Sequence, residues 1–262
     1  MGISRRAVVN GFGQSAALGA LAAALPAQLR AAASAAPAPA PAPAGPPVTY
    51  SLTRLYQRAE GSPFDADGFR DRHVPTLVKA YGKSAERIEL RVPVVAEGTP
   101  APQIIAAVNI WFTNLQEFLV KHKAAEKELV ASMATITKAL AIEQVDQVLA
   151  SLGEARSAVP VDSFVYSTYF PTKEGGTLDT KYFAETFYPK FLATYGTEAV
   201  RRVEVTSRAI PTATVVGSTH VYIRDPDAYD AAREKAPELF KELAAYTNIN
   251  PVQTLTKLHA FG

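Results

Sequence analysis

The chain has 262 residues, of which 48% are hydrophobic and 20% charged, with no cysteine and a formal net charge of +2. This is the composition of a globular protein, and the lack of cysteine excludes thiolate metal sites, cysteine nucleophiles and disulfides. The three basic residues before position 48 have no acidic counterpart, so the remaining chain is nearly neutral. Because it shows no cluster of Lys and Arg, we expect no nucleic-acid partner.

Residues 1–36 have the pattern of an export leader. An arginine pair, Arg5 and Arg6, precedes a mildly apolar run of Ala, Gly and Leu, which resembles a twin-arginine signal peptide. We therefore predict export by the twin-arginine machinery to the periplasm or the exterior; an ordinary signal peptide or a membrane anchor is the alternative. Pro26 interrupts the run short of the ~20 apolar residues of a membrane span, so no membrane association is expected after cleavage. Residues 37–47 alternate Ala and Pro, which predicts an extended linker.

Strand and helix periods alternate through the rest of the chain. Period-two alternation predicts strands at 49–56, 87–94, 105–112, 142–149, 163–170, 202–208, 215–223 and 252–261. Asp65 and Asp179 stand at N-cap positions, where a carboxylate accepts N–H groups of the first helical turn. Asn114 and Asp225 are expected to open two further helices in the same way. Pro237 should kink or split the last helix, because proline lacks an N–H.

The folded region contains one pattern twice. Residues 50–82 match residues 164–196 at a constant offset of 114. Two later stretches also match, Arg87-Ile88-Glu89-Leu90 with Arg202-Val203-Glu204-Val205 and Trp111-Phe112 with Tyr222-Ile223. Each copy has the order strand, helix, strand, strand, helix, strand, which is a ferredoxin-like unit. We therefore predict an α+β fold with two domains, residues 48–152 and 160–262.

One histidine lies on the predicted buried side of a helix. Phe69, His73 and Leu77 are four residues apart, so they share one helix face, and Phe187 stands at the histidine position of the second copy. Burial disfavours the imidazolium and would leave a neutral ring that can accept a proton. We predict His73 as a catalytic acid/base, with backbone carbonyls exposed near Pro75 holding its Nδ1–H. The alternative is a core histidine that is satisfied by a backbone group.

Polar and aromatic residues also lie together on two of the predicted strands. Asn109 and His220 hold equivalent positions, and an aromatic residue follows two residues later on the same face, Trp111 in one copy and Tyr222 in the other. A polar group beside an aromatic ring can orient a small apolar ligand. We predict these four residues, with Phe69, to bind a ligand; the alternative is that they satisfy each other inside a barrel seam. The four histidines have no metal-site spacing, so no metal site is predicted.

The first copy resembles a known family. The pattern Phe64-Asp65-x-x-x-Phe69-x-x-x-His73-x-Pro75-x-Leu77, ahead of Tyr81-Gly82, is similar to the EthD family of dimeric α+β barrel proteins. Residues 162–262 resemble a second EthD-like unit. Gly68 departs from the family, which usually carries an aromatic ring there. The resemblance implies that the two units pair their bare sheet faces within one chain, which gives an intramolecular α+β barrel and a monomer with an internal pseudo-twofold axis.

The resemblance also implies a range of functions. EthD relatives are linked to oxidative breakdown of ethers, and other α+β barrel families isomerise lactones, cyclise polyketides, oxidise quinol-like substrates or bind haem. For this chain it implies a small apolar or aromatic ligand between helix and sheet, and an isomerase or cofactor-free oxidoreductase with His73 as acid/base. A non-catalytic binding module is the first alternative. A haem-binding barrel with His220 or His259 as axial ligand is the second, and no other cofactor is expected.

Overall fold

The structure is a computed structural model that describes residues 48–95, 100–211 and 213–261. The predicted export leader and the Ala/Pro linker lie outside the described residues. Within them, no helix combines the length and the apolar character that a membrane span requires.

Each half has the predicted order of strand, helix, strand, strand, helix, strand. The strands are β1 Tyr50–Gln57, β2 Arg87–Pro93, β3 Ile104–Phe112, β4 Ala141–Gly153, β5 Phe164–Pro171, β6 Val200–Arg208, β7 Val215–Ile223 and β8 Val252–Phe261. The main helices are α1 Val74–Tyr81, α2 Leu115–Met133, α3 Tyr188–Ala199, α4 Pro226–Lys235 and α5 Pro237–Lys241. Short helical segments, Ala66–Gly68 with Phe69–His73 and Thr180–Tyr182 with Phe183–Phe187, lead into α1 and α3.

The strands form a closed antiparallel barrel in the order β1-β3-β2-β8-β5-β7-β6-β4. Each half contributes four neighbouring strands, and the halves meet along two seams, β2 with β8 and β4 with β6. The predicted fold class, α+β with two ferredoxin-like units that close one intramolecular barrel, is therefore confirmed.

Local signals placed the helix starts correctly. The side chains of Asp65, Asp179, Asn114 and Asp225 each accept a backbone N–H of the first helical turn, so these four N-caps are confirmed. Pro237 splits the last helix as expected, because it begins the separate helix α5. Both first helices are widened into a π turn ahead of Pro75 or Pro189. Since a proline provides no N–H to the carbonyl four residues earlier, the ladder is locally interrupted in both halves.

The sheet separates three compartments. We call the apolar cluster between the helices and the sheet of the first half the first layer; it contains Phe69, Leu77 and Tyr81 against Leu52 and Val108. The corresponding cluster of the second half, with Phe187 and Phe191 against Val203, is the second layer. The opposite faces of all eight strands line the barrel interior, because successive side chains of a strand point to opposite faces.

Candidate functional site

His73 is fully buried in the first layer. Its ring centroid is 5.2 Å from that of Phe69, and its Nδ1 lies 3.1 Å from the Oγ of Ser132 on α2. The prediction that a backbone carbonyl near Pro75 would be its partner was wrong. Packing of α2 against α1 brings the hydroxyl of Ser132 to this nitrogen instead. The Nε2 atom has no hydrogen-bond partner in the part of the chain that the structure describes.

The surroundings of His73 keep its ring neutral. Burial, and secondarily the positive charge of Arg54, lower the pKa of His73 to about 4. At neutral pH the ring therefore presents one uncharged, unpaired polar atom, Nε2, to an apolar environment. A ring in this state can hydrogen-bond to a bound molecule and can take a proton from it.

Aromatic side chains surround this site. The Phe69 ring lies 5.8 Å from Phe64 and 6.3 Å from Phe261, and Tyr56 lies 5.2 Å from Phe64. Phe261 belongs to β8, so the last strand of the second half covers part of the first layer. The surroundings of His73 thus suit an apolar or aromatic molecule.

Two charged residues in the first layer were missed by the sequence analysis. Arg54 on β1 and Glu143 on β4 form a close ion pair on the helix-facing side of the sheet. Glu143 also lies 3.6 Å from His122, whose Nδ1 is 2.7 Å from the hydroxyl of Tyr81. The sequence did contain a signal for Arg54. It stands two residues after Leu52 on β1, so it lies on the same side of the strand and faces the core.

The other predicted ligand residues lie in a different compartment. Asn109, Trp111, His220 and Tyr222 are buried in the barrel interior, on the sheet face opposite His73. Phe69 is the predicted ligand residue that does contact His73. The predicted ligand residues therefore do not share one compartment with His73. Strand alternation placed the four residues on one face, and closure of the barrel turned that face inward.

His220 is engaged on both sides of its ring. Its Nδ1 and Nε2 each lie 3.1 Å from a serine hydroxyl, Ser167 and Ser218 respectively. Burial lowers the pKa of His220 well below its ordinary value, so the ring is neutral. An axial haem ligand needs a free nitrogen, so His220 in this arrangement does not fit that role. His259 is only half-buried and lies beside Leu90 of β2. Among the described residues, no group of three or more His, Asp or Glu could hold a metal ion.

Asn109 belongs to a short chain of hydrogen bonds that ends at a carboxyl group. Its Nδ2 donates to Thr53 Oγ1 at 3.0 Å, and Thr53 donates to Asp146 at 3.1 Å. Gln144 donates to the other oxygen of Asp146 at 2.6 Å. Burial raises the pKa of Asp146 to about 7. This carboxyl group therefore titrates near neutrality inside the barrel.

Two ion clusters, each built around a glutamate, also lie in this region. Glu89 is held by Arg87 and Arg91, each at 2.8 Å, and Glu204 is held by Arg202 at 2.7 Å and Arg156 at 2.6 Å. Trp111 lies between two guanidinium groups, 5.6 Å from that of Arg91 and 4.7 Å from that of Arg156. The Tyr222 hydroxyl accepts from Arg91 at 2.7 Å and donates to Glu89 at 3.1 Å. In this structure both aromatic residues are therefore part of the network that joins the two halves.

The chain was compared with known proteins. No protein-family model matches it, and no curated protein matches it. Among solved structures, an anthrone oxidase-like protein superposes with a TM-score of 0.55 at 10% identity, covering 82% of this chain and 93% of its own. A proposed monooxygenase from Fusobacterium nucleatum superposes with a TM-score of 0.53 at 11% identity, covering 80% of this chain and 92% of its own. An EthD-like protein from Ralstonia eutropha superposes with a TM-score of 0.34 at 20% identity, covering 37% of this chain and 89% of its own. At these identities, what the chain shares with the first two proteins is the α+β barrel fold.

Proposed function

We propose that the protein binds a small apolar or aromatic molecule in the first layer and that His73 hydrogen-bonds to it. The supporting observation is the Nε2 atom of His73, which is buried and unpaired within the described residues. Buried polar atoms are nearly always paired in native proteins, and a polar atom of a bound molecule would pair with Nε2 inside this aromatic surrounding. One polar group in an apolar enclosure is also the usual means of orienting a small ligand.

Proton transfer is the second part of the proposal. A bound molecule with an acidic C–H or O–H would give its proton to Nε2 of His73, in an isomerase or a cofactor-free oxidoreductase. Because the pKa of His73 is lowered to about 4, the ligand-free ring is a better hydrogen-bond partner than base. Negative charge that develops on the bound molecule would raise this pKa and help the ring hold the proton. The oxidoreductase form is suggested by the names of the two fold neighbours with TM-scores above 0.5.

The test compares His73 with the equivalent position of the second half. Native mass spectrometry of the protein from its own host should show a bound small molecule that is released on denaturation. His73→Phe should lose this molecule and keep its fold, because Phe187 shows that a benzyl ring suits this helix position. Phe187→Leu, the control, should retain it. If turnover is found, His73→Phe should lower it ~10²–10⁴-fold. Undiminished binding in His73→Phe would contradict the proposal.

We also propose that the protein is exported by the twin-arginine route. The pair Arg5 and Arg6 ahead of a weakly apolar run supports this proposal. Replacing both arginines with lysine should hold the protein in the cytoplasm, as detected by cell fractionation. Unimpaired export of that variant would indicate the general secretory route.

A monomer is proposed for the mature protein. The sheet faces that pair between subunits in dimeric α+β barrels here pair within one chain, along the seams β2/β8 and β4/β6. Light scattering should therefore give the mass of one chain. An obligate dimer would contradict this proposal.

A further inference from the structure

A chain of polar side chains leads from the first layer to the protein surface. The hydroxyl of Tyr81 is 2.7 Å from Nδ1 of His122, and Nε2 of His122 is 3.6 Å from a carboxylate oxygen of Glu143. Tyr81 is fully buried, whereas the side chains of His122 and Glu143 are 12% and 19% exposed. The chain therefore has one end inside the first layer and the other in contact with solvent.

We propose that Tyr81, His122 and Glu143 form a proton-exchange path between solvent and the molecule bound beside His73. This inference rests on the proposed function, since it assigns the path to the same binding site.

The inner end of the path lies on the same helix face as His73. Both His73 and Tyr81 belong to one buried helix face, two turns apart, with Leu77 between them. The guanidinium of Arg54 interacts with both of them: its charge favours the neutral ring of His73, and it lowers the pKa of Tyr81, which burial raises. A molecule that contacts His73 and lies near Arg54 would therefore also be near the Tyr81 hydroxyl.

The second half lacks this path. Tyr195, equivalent to Tyr81, keeps the stacked ring, 4.1 Å from Phe191. Its hydroxyl has no hydrogen-bond partner within the described ranges of the chain. Arg233 stands where the first half has His122, and Gln253 stands where it has Glu143. The tyrosine ring is thus common to both halves as a packing element, whereas the histidine and the carboxylate occur in the half that has His73.

The charges around His122 permit it to pass a proton. The pKa of His122 lies below its ordinary value, because burial and the charge of Arg54 lower it by more than Glu143 and Glu126 raise it. The carboxylate of Glu143 beside Nε2 favours the neutral tautomer that carries its proton on Nε2, and this tautomer leaves Nδ1 to accept the hydrogen bond of Tyr81. These groups therefore hold His122 in the form that can receive a proton from the inside.

One proton moves along the path, and no electrons are transferred. A second exchangeable proton of the bound molecule, distinct from the one that Nε2 of His73 takes, passes to the oxygen of Tyr81 while Tyr81 passes its own proton to Nδ1 of His122. The resulting imidazolium is stabilised by the Glu143 carboxylate and releases its Nε2 proton to solvent. Since 3.6 Å exceeds a direct hydrogen bond, Glu143 acts on the imidazolium through its charge, and solvent at the partly exposed His122 accepts the proton.

The test uses 4-nitrophenol, a small aromatic probe whose anion is coloured. Binding to the full chain is measured by equilibrium dialysis, and stopped-flow absorbance follows ionisation of the bound probe after a jump from acidic to alkaline pH. Tyr81→Phe and His122→Gln should slow this ionisation ~10²-fold, the range of a positioned proton-transfer group, when each variant is measured at a probe concentration that saturates it. Tyr195→Phe, the matched control in the second half, should leave the rate unchanged.

Unchanged ionisation rates in both variants, with 4-nitrophenol still bound, would overturn the path and leave the proposed function standing. Absence of probe binding in the wild-type protein would overturn the path as stated, and the native mass spectrometry of His73→Phe would then decide the function separately. If a variant fails to fold, the ¹⁵N chemical shifts of His122 in the wild-type protein test the path instead, because they show which ring nitrogen carries the proton. Protonated Nε2 is expected, and a ring protonated on Nδ1 would contradict donation by Tyr81.

Discussion

The first and second layers have the same architecture and different chemistry. Both have an N-capped first helix, a π turn before proline and a stacked tyrosine. The first layer has His73, Arg54 and Glu143 where the second has Phe187, Thr168 and Gln253. Strand pairing supports this equivalence, because Arg54 pairs with Glu143 and Thr168 pairs with Gln253. The second layer shows that the fold does not require buried charge at these positions.

Buried charge in the first layer therefore needs another explanation. Removing ionisable groups from water costs several kcal/mol per ion, and the attraction within a buried pair often only offsets that cost. The second half avoids the cost, because it has Phe187, Thr168 and Gln253 at these positions. We infer that Arg54, Glu143 and His73 serve the candidate binding site in the first layer. In the second layer the equivalent residues serve packing.

In the barrel interior, by contrast, the halves share one charged element. Glu89 and Glu204 hold equivalent positions, and each is bound by two arginines. Replacing either glutamate with leucine should lower the free energy of unfolding by ~3–5 kcal/mol, because a buried arginine loses its partner. Urea denaturation should give the two variants similar losses. A large loss from one variant and none from the other would show that the two glutamates do not have equivalent roles.

Asp146 is an interior residue that the second half does not repeat, because Thr256 stands at the equivalent position. The pKa of Asp146 is raised from its ordinary value to about 7, so the folded protein binds more protons than the unfolded chain between about pH 4 and 7. Stability should therefore fall as pH rises through this window, by on the order of 3 kcal/mol. Asp146→Asn should remove this fall in denaturation curves measured across pH, whereas Thr256→Val should keep it. A wild-type curve without the fall would contradict the prediction.

The layers should differ at acidic pH. The pKa of His73 is lowered to about 4, so below about pH 6.5 the unfolded chain binds a proton that the folded one does not. Through this residue, the free energy of unfolding of the wild type should fall by roughly 2–3 kcal/mol as pH falls from about 6.5 to 4. His73→Phe should abolish this loss, and Phe187→Leu should retain it. Equal acid sensitivity of the wild type and His73→Phe would mean that the ring is protonated in the folded state.

The smallest expected difference concerns the two stacked tyrosines. Tyr81→Phe removes the hydrogen bond to His122 and should cost about 1 kcal/mol. Tyr195→Phe removes a hydroxyl that is unpaired within the described residues, so it should change stability by less than about 0.5 kcal/mol or increase it. Thermal unfolding of both variants measures this. Equal losses would indicate that the Tyr195 hydroxyl has a partner, such as bound water.

Much of the fold followed from local patterns. The repeat, the strand order and the caps at Asp65 and Asn114 could be predicted, because alternation and capping depend on residues close in sequence. Burial of His73 followed from its spacing with Phe69. The partner of its ring could not be predicted, because Ser132 is 59 positions away in sequence. The Arg54–Glu143 pair, 89 positions apart, was missed for the same reason.

The sequence by itself determined that one strand and helix pattern occurs twice, that its helices begin at particular caps, and that a histidine in one copy replaces a phenylalanine in the other. Only the tertiary structure decided which compartment each polar residue occupies. Closure of the barrel put Asn109, Trp111, His220 and Tyr222 on the far side of the sheet from His73. A strand's period fixes which residues share a face, but what covers that face depends on distant strands. Hydrogen-bond partners and pKa values depend on that covering, and so does the candidate site.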